Sequence, residues 1–165
     1  MPRNRIPVTM GWINVKNWSE IMDIERATYP IPWTDAEWKS ILSTPGCRGR
    51  TMERQGPLGP TVVGFLVYRE LSDEIVIDNI AVLPSVRRQR VGEQAMSFLK
   101  ARLTRSNCDR ISFEVRETSL GCQLFFRSQG FAATGVIRGH YDDTGEDGYH
   151  FELERACCET EWVRC

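Results

Sequence analysis

One stretch constrains this chain more than any other: residues 74–115 read as strand, basic turn, helix and strand. Glu74 to Val82 is a strand, and its run Ile75-Val76-Ile77 predicts burial on both faces. Pro84 ends it. Val91, Ala95, Phe98, Leu99 and Leu103 then recur at helical spacing, so a helix runs from about Val91 to Leu103. Arg110 to Val115 alternates, with Ile111, Phe113 and Val115 on one face and Ser112 and Glu114 on the other. Strand, helix and strand in that order imply a parallel pair with a right-handed crossover.

The flanking segments supply antiparallel partners. Val8 to Ile13 reads as a first strand. Asn17-Trp18-Ser19-Glu20 reads as a capping box that opens a helix through Ile21, Met22, Ile24 and Ala27. Pro30 and Pro32 break it. Thr34-Asp35-Ala36-Glu37 is a second capping box, opening a helix to about Leu42. Residues 47–54 and 61–69 form a hairpin around Gly56-Pro57-Leu58-Gly59-Pro60. Ser119 to Ser128 is a short helix with Gly130 as its left-handed cap. Phe131 to Arg138 and Tyr149 to Leu153 close the pattern as a hairpin around residues 142–148. The class is α/β: a mixed, mostly antiparallel sheet with a central parallel strand pair and flanking helices.

Length and charge narrow the function. The 165 residues suit one domain, placed at 1–155, with a cysteine-containing tail at 156–165. A net charge of −1 gives no field favouring nucleic acid or a membrane, and neither is expected as a partner. No apolar run approaches membrane-spanning length, and no apolar segment follows the basic start as a signal peptide requires. Six cysteines without CxxC spacing and only two histidines predict reduced thiols, a cytoplasmic location and no metal site.

The basic turn Arg87-Arg88-Gln89-Arg90-Val91-Gly92 is the first candidate site. It precedes a helix whose first N–H groups lack internal partners and carry the positive end of the helix dipole, which suits a phosphate. Gly92 lets backbone approach a ligand closely. A solvated basic turn before an amphipathic helix fits the same residues equally well. Neither a dinucleotide fingerprint nor a P-loop is present.

Asn79-Ile80-Ala81-Val82-Leu83-Pro84 followed by this turn resembles the acyl-CoA motif of GNAT acetyltransferases, written Q/R-x-x-G-x-G/A. The resemblance implies a GNAT fold and acetyl-CoA as the acyl donor. It implies that Arg87, Arg88, Gln89, Arg90, Val91, Gly92 and Glu93 hold the CoA pyrophosphate. It gives Ile80, Ala81 and Val82 backbone roles toward the pantetheine and thioester. Arg90 departs from the motif, standing where its first glycine belongs. A positive φ there costs an arginine about 1 kcal/mol or more; a helical φ costs little.

Further segments are similar to the ribosomal-protein alanine N-acetyltransferases, the RimI-like branch of that family. They are Asp23 to Trp33, Phe113-Glu114-Val115-Arg116-Glu117, Gly130-Phe131 and His140 to Asp147, in that order. The resemblance implies acetyl transfer to the α-amino group of a protein N-terminus. The alternatives are a GNAT acting on lysine or a small amine, and a CoA-binding module with little turnover.

The chemistry needs a base, because an α-amino group has a pKa of about 8 and is protonated near neutrality. From its residues alone, Glu114 reads as a strand-end carboxylate that is either solvated, salt-bridged near Arg116, or basic in function. The resemblance makes it the catalytic glutamate. The family's general-acid tyrosine falls at Phe126, which has no ionisable proton and also reads as core packing beside Leu124 and Phe125. Water at some loss of rate, or alternatively Tyr141 or His140, takes that role, with Tyr141 also matching the substrate loop. Ser119 stands where the family has a CoA-contacting asparagine, or it caps a helix. Tyr29, Trp33, Tyr141 and Glu146 are the expected acceptor contacts.

Overall fold

The computed structural model describes residues 4–156. They form one seven-stranded sheet in the order β1-β2-β3-β4-β5-β7-β6. The strands are β1 (Thr9–Trp12), β2 (Cys47–Gly56), β3 (Gly59–Glu70), β4 (Glu74–Val82), β5 (Arg110–Arg116), β6 (Ala132–Tyr141) and β7 (Glu146–Glu154). The helices are α1 (Trp18–Thr28), α2 (Asp35–Leu42), α3 (Val91–Arg105) and α4 (Leu120–Ser128). A 3₁₀ turn at Pro84–Val86 precedes α3. Only β4 and β5 pair in parallel; every other ladder is antiparallel. Cys157, Cys158 and Cys165 of the tail lie outside the described residues.

The sheet separates two apolar cores. Ile21, Met22 and Ile24 of α1 and Trp38 of α2 pack on Val62, Phe65, Val67 and Ala81. On the opposite face, Val91, Ala95, Met96, Leu99 and Leu103 of α3 and Phe126 of α4 cover Leu66, Ile75, Ile77, Ile111 and Phe113. Strand β3 is therefore buried on both sides, with Phe65 and Val67 facing one core and Leu66 and Tyr68 the other.

Strand β4 behaves differently. Its odd-numbered residues from Ile75 to Ala81 are buried and Val76 is only half-buried, so the expectation of burial on both faces of the Ile75–Ile77 run does not hold. The register explains the pattern. Val67 pairs with Asn79 but Tyr68 pairs with Ile77, which leaves Asp78 as the extra residue of a bulge. The bulge flips the pleat, so Ile75 and Ile77 enter one core while Ala81 enters the other. Arg69 grips the Asp78 carboxylate through Nε and Nη2 at 2.8–3.1 Å.

Two local expectations have opposite outcomes. The box at Thr34 forms: its hydroxyl accepts the Glu37 N–H while the Glu37 carboxylate accepts the Thr34 N–H at 2.7 Å. The box at Asn17-Trp18-Ser19-Glu20 does not, because other partners, one local and one distant, take both of its end groups. Asn17 Oδ1 accepts the Asn14 N–H and Glu20 accepts the Val62 N–H. Ser112, expected on the polar face, is 2% exposed and donates its hydroxyl to Glu74. Gly130 does follow α4 in a left-handed conformation, at φ +95°.

Candidate active site

The β4–β5 ladder ends at Ile77 opposite Phe113. Beyond it, residues 78–82 of β4 and 114–116 of β5 no longer pair with each other, and the sheet splays. The carbonyls of Ile80 and Val82 point into this gap. Tyr29 Oη donates to the first at 2.6 Å and Arg87 Nε to the second at 3.0 Å. Alternation then turns the Ile80 and Val82 N–H groups the same way. Ala81 pairs with Phe65 of β3 and is 2% exposed, so its backbone belongs to the sheet. Burial, then the nearby Cys122 and Glu25, pushes the Tyr29 phenol well above its ordinary range, so it stays a donor.

At one end of the gap lies the basic turn. Arg90 is the N-cap of α3 and left-handed, at φ +62° and ψ +21°. Arg88 also has a positive φ, +61°. The motif's missing glycine therefore sits where glycine is preferred, and the helical alternative for Arg90 is excluded. Left-handed residues at a helix start gather consecutive N–H groups into a concavity that suits an anion. The arginines are not equivalent. Arg87 is turned inward to Val82 and to the Thr28 hydroxyl. Arg90 pairs with Glu93 at 2.7 Å. Arg88 is exposed and makes no ion pair among the described residues.

The turn is braced from the N-terminal side. The Gln89 carbonyl accepts the Ile6 N–H, and the Gln94 amide donates to the Ile6 carbonyl and accepts from the Val8 N–H. Val91 is 2% exposed in the core, leaving only its backbone for a ligand. A Cβ on Gly92 would meet the Phe125 ring at 3.0 Å, so here the glycine makes room for α4.

At the other end stand Glu114 and the β6–β7 turn. Glu114 is exposed at the end of β5, across from His150. Its Oε2 lies 2.5 Å from His140 Nε2. Tyr141 lies under the Arg116 guanidinium, 4.0 Å from the ring centre. Burial raises the Tyr141 phenol to about 12, so it holds its proton at neutral pH. Glu146 faces the turn itself: it accepts from Thr118, Thr144 and Arg116, and these bonds hold its carboxyl below the usual range. Arg116 also pairs with Asp143 at 2.6 Å.

The remaining predicted residues surround this arrangement. Ser119 precedes α4, yet its side chain makes no capping bond. Phe126 is 1% exposed, with its ring 3.7 Å from that of Phe113 and 5.2 Å from those of Phe125 and Phe131. Its core-packing reading is the one the geometry realises. Trp33 packs edge-on against Trp38 at 5.1 Å, and its backbone N–H donates to Glu25.

Residues 18–131 match the sequence profile of the Acetyltransferase (GNAT) family. The chain belongs to the GNAT acetyltransferases. A GNAT relative from Escherichia coli, named [Ribosomal protein bS18]-alanine N-acetyltransferase, is 26% identical over 121 residues, covering 73% of this chain and 78% of its own length. The crystal structure of the E. coli ribosomal-protein-S18-alanine N-acetyltransferase superposes with a TM-score of 0.79 at 20% identity, over 96% of this chain and 100% of that one. Arabidopsis thaliana Naa50, solved with the bisubstrate analogue CoA-Ac-MVNAL, gives 0.74 at 15% identity over 89% and 98%. The seven-stranded mixed sheet with its single parallel pair is the GNAT fold.

In this GNAT chain the splay brings Tyr29 to Ile80 and Arg87 to Val82, with the turn from Arg87 to Glu93 leading into α3. Glu25 went unrecognised in the sequence. It is 1% exposed, accepts the Trp33 N–H at 2.8 Å and the Asn79 amide at 3.1 Å, and so ties the proline segment to β4. One signal was available: Glu25 follows Ile21 by four and stands on the apolar face of α1.

Proposed function

We propose that this protein transfers the acetyl group of acetyl-CoA to the N-terminal α-amino group of a protein, such as a ribosomal protein. The observation that carries the reading is the β4–β5 splay. It leaves an unpaired strand edge between an N–H-rich turn at Arg88–Gly92 and a carboxylate at Glu114. Those residues fit CoA: N–H groups for the pyrophosphate, Arg88 for its charge, and the β4 edge for an extended amide-bearing arm. Bound there, acetyl-CoA supplies an activated thioester.

The protein's own groups do the rest. Glu114 takes a proton from the acceptor ammonium and leaves a nucleophilic amine. The Val82 N–H, fixed by the sheet, stabilises negative charge on the acyl oxygen. Tyr141, protonated and stacked under Arg116, is placed to hydrogen-bond the acceptor or to give a proton to the departing sulfur. Tyr29 acts one step back, holding the Ile80 carbonyl. Glu146 positions the turn and leaves acceptor recognition to its neighbours.

Phe126 favours one second reading, a CoA-binding module with little turnover, because a buried phenyl ring has no proton for the leaving thiolate. Thermal unfolding with acetyl-CoA tests the shared part. At a concentration of about 100 times Kd the ligand adds about 2.7 kcal/mol of stability. Arg88→Ala weakens the effect. An unchanged transition at millimolar acetyl-CoA contradicts both readings.

A further inference from the structure

The chain has two histidines, and both flank the same carboxylate. His140 Nε2 is 2.5 Å from Glu114 Oε2, within reach of direct proton transfer. His150 Nδ1 is 3.9 Å from Oε1, too far for a hydrogen bond, and its Nε2 is held by Glu152 at 3.1 Å. The local packing is built around His140. A Cβ on buried Gly148, on the neighbouring strand β7 opposite Arg116, would meet the His140 ring and Cβ at 2.8–3.0 Å. The absent side chain leaves the space that the imidazole fills. Tyr141 meets the imidazole edge-on at 4.8 Å. About a third of the His140 side chain remains open to solvent.

We propose that His140 is a positioning residue for Glu114 that also relays its proton to water. The proposal rests on Glu114 being the base. Overall, an ammonium and a thioester give an amide, a thiol and one free proton. The C–N bond forms and the C–S bond breaks. The nitrogen loses two protons: one ends on the sulfur, and the other passes to Glu114 before attack. Glu114 must shed that second proton before the next turnover. Its Oε2 is turned to His140, so the proton moves to Nε2, and the opposite ring nitrogen releases one to solvent. His150 is the less suitable carrier, because Glu152 already engages it.

His140→Ala should lower kcat roughly 10- to 100-fold while acetyl-CoA binding is unchanged, and added imidazole should restore much of the rate. Gly148→Ala, which leaves both Glu114 and His140 in the chain but places a Cβ against the His140 ring, should push the imidazole aside and reproduce the defect. In the free protein, Glu114→Gln and Gly148→Ala should each move the side-chain nitrogen resonances of His140 in an NMR spectrum. A His140→Ala enzyme with full activity, or one that imidazole does not rescue, overturns the relay. Unmoved His140 resonances also overturn it, since the contact is then absent in solution. Full activity in Glu114→Gln removes the reading of Glu114 itself, an outcome that His140→Ala cannot mimic.

Discussion

The Tyr29 hydroxyl donates to the Ile80 carbonyl at 2.6 Å, across a sequence separation of 51 residues. This bond joins the proline segment after α1 to the half of β4 that has left β5. It satisfies a carbonyl that the splay would otherwise leave without a strand partner. Tyr29→Phe removes the donor and keeps the ring. Urea unfolding should show a loss of about 1–3 kcal/mol, the cost of stranding one buried polar group. An unchanged midpoint would mean that water replaces the hydroxyl without cost.

Arg90 is a left-handed arginine at the start of α3. An L-residue loses roughly 1–2 kcal/mol in that conformation. Glycine escapes the penalty but gives back about 0.5–1 kcal/mol in chain entropy. The Glu93 pair, half exposed, contributes little. Arg90→Gly should therefore raise stability by up to about 1 kcal/mol, and Arg90→Val should lower it, since a β-branched side chain tolerates this region worst. Denaturant midpoints of the two variants should bracket that of the parent.

Glu25 sets a pH dependence. Burial, its largest influence, raises its carboxyl above the ordinary 4.5, against the lowering effect of its bonds to Trp33 and Asn79. A raised native pKa means the folded state binds this proton more tightly than the unfolded state does. Its contribution to stability is fully present below 4.5 and is lost as pH rises through the native value. Glu25→Gln lacks that titration. The stability of the parent relative to Glu25→Gln should fall as pH rises above about 4.5, measured by urea unfolding at a series of pH values. A difference independent of pH would show that Glu25 does not titrate in this range.

Much of this architecture was legible from periodicity. The stripe from Val91 to Leu103 marks α3, the alternation at 110–115 marks β5, and the glycines at 56 and 59 mark the β2–β3 turn. Local chemistry with local partners, as at Thr34 and Glu37, was also readable. What the sequence concealed depends on distant partners. The bulge at Asp78 divides an even alternation between two cores, and only the β3 register reveals it. Glu20 matches a capping pattern, yet it serves Val62, 42 residues away. The arginines of the turn looked alike, but Val82, Thr28 and Glu93 give two of them internal duties. Glu114 could be singled out by resemblance; its imidazole neighbour became visible only once β6 and β7 were folded beside β5.

The central claim is that the splay joins CoA to an α-amine beside Glu114. Mass spectrometry of peptides incubated with the protein and acetyl-CoA tests it most directly. Each peptide would carry one internal lysine and either a free or a blocked N-terminus. One added acetyl group on the α-amine of the free peptides is expected, with none on the blocked ones. Glu114→Gln should slow the reaction roughly 10²- to 10⁴-fold. Acetate on lysine alone, or a Glu114→Gln enzyme as fast as its parent, would contradict the account.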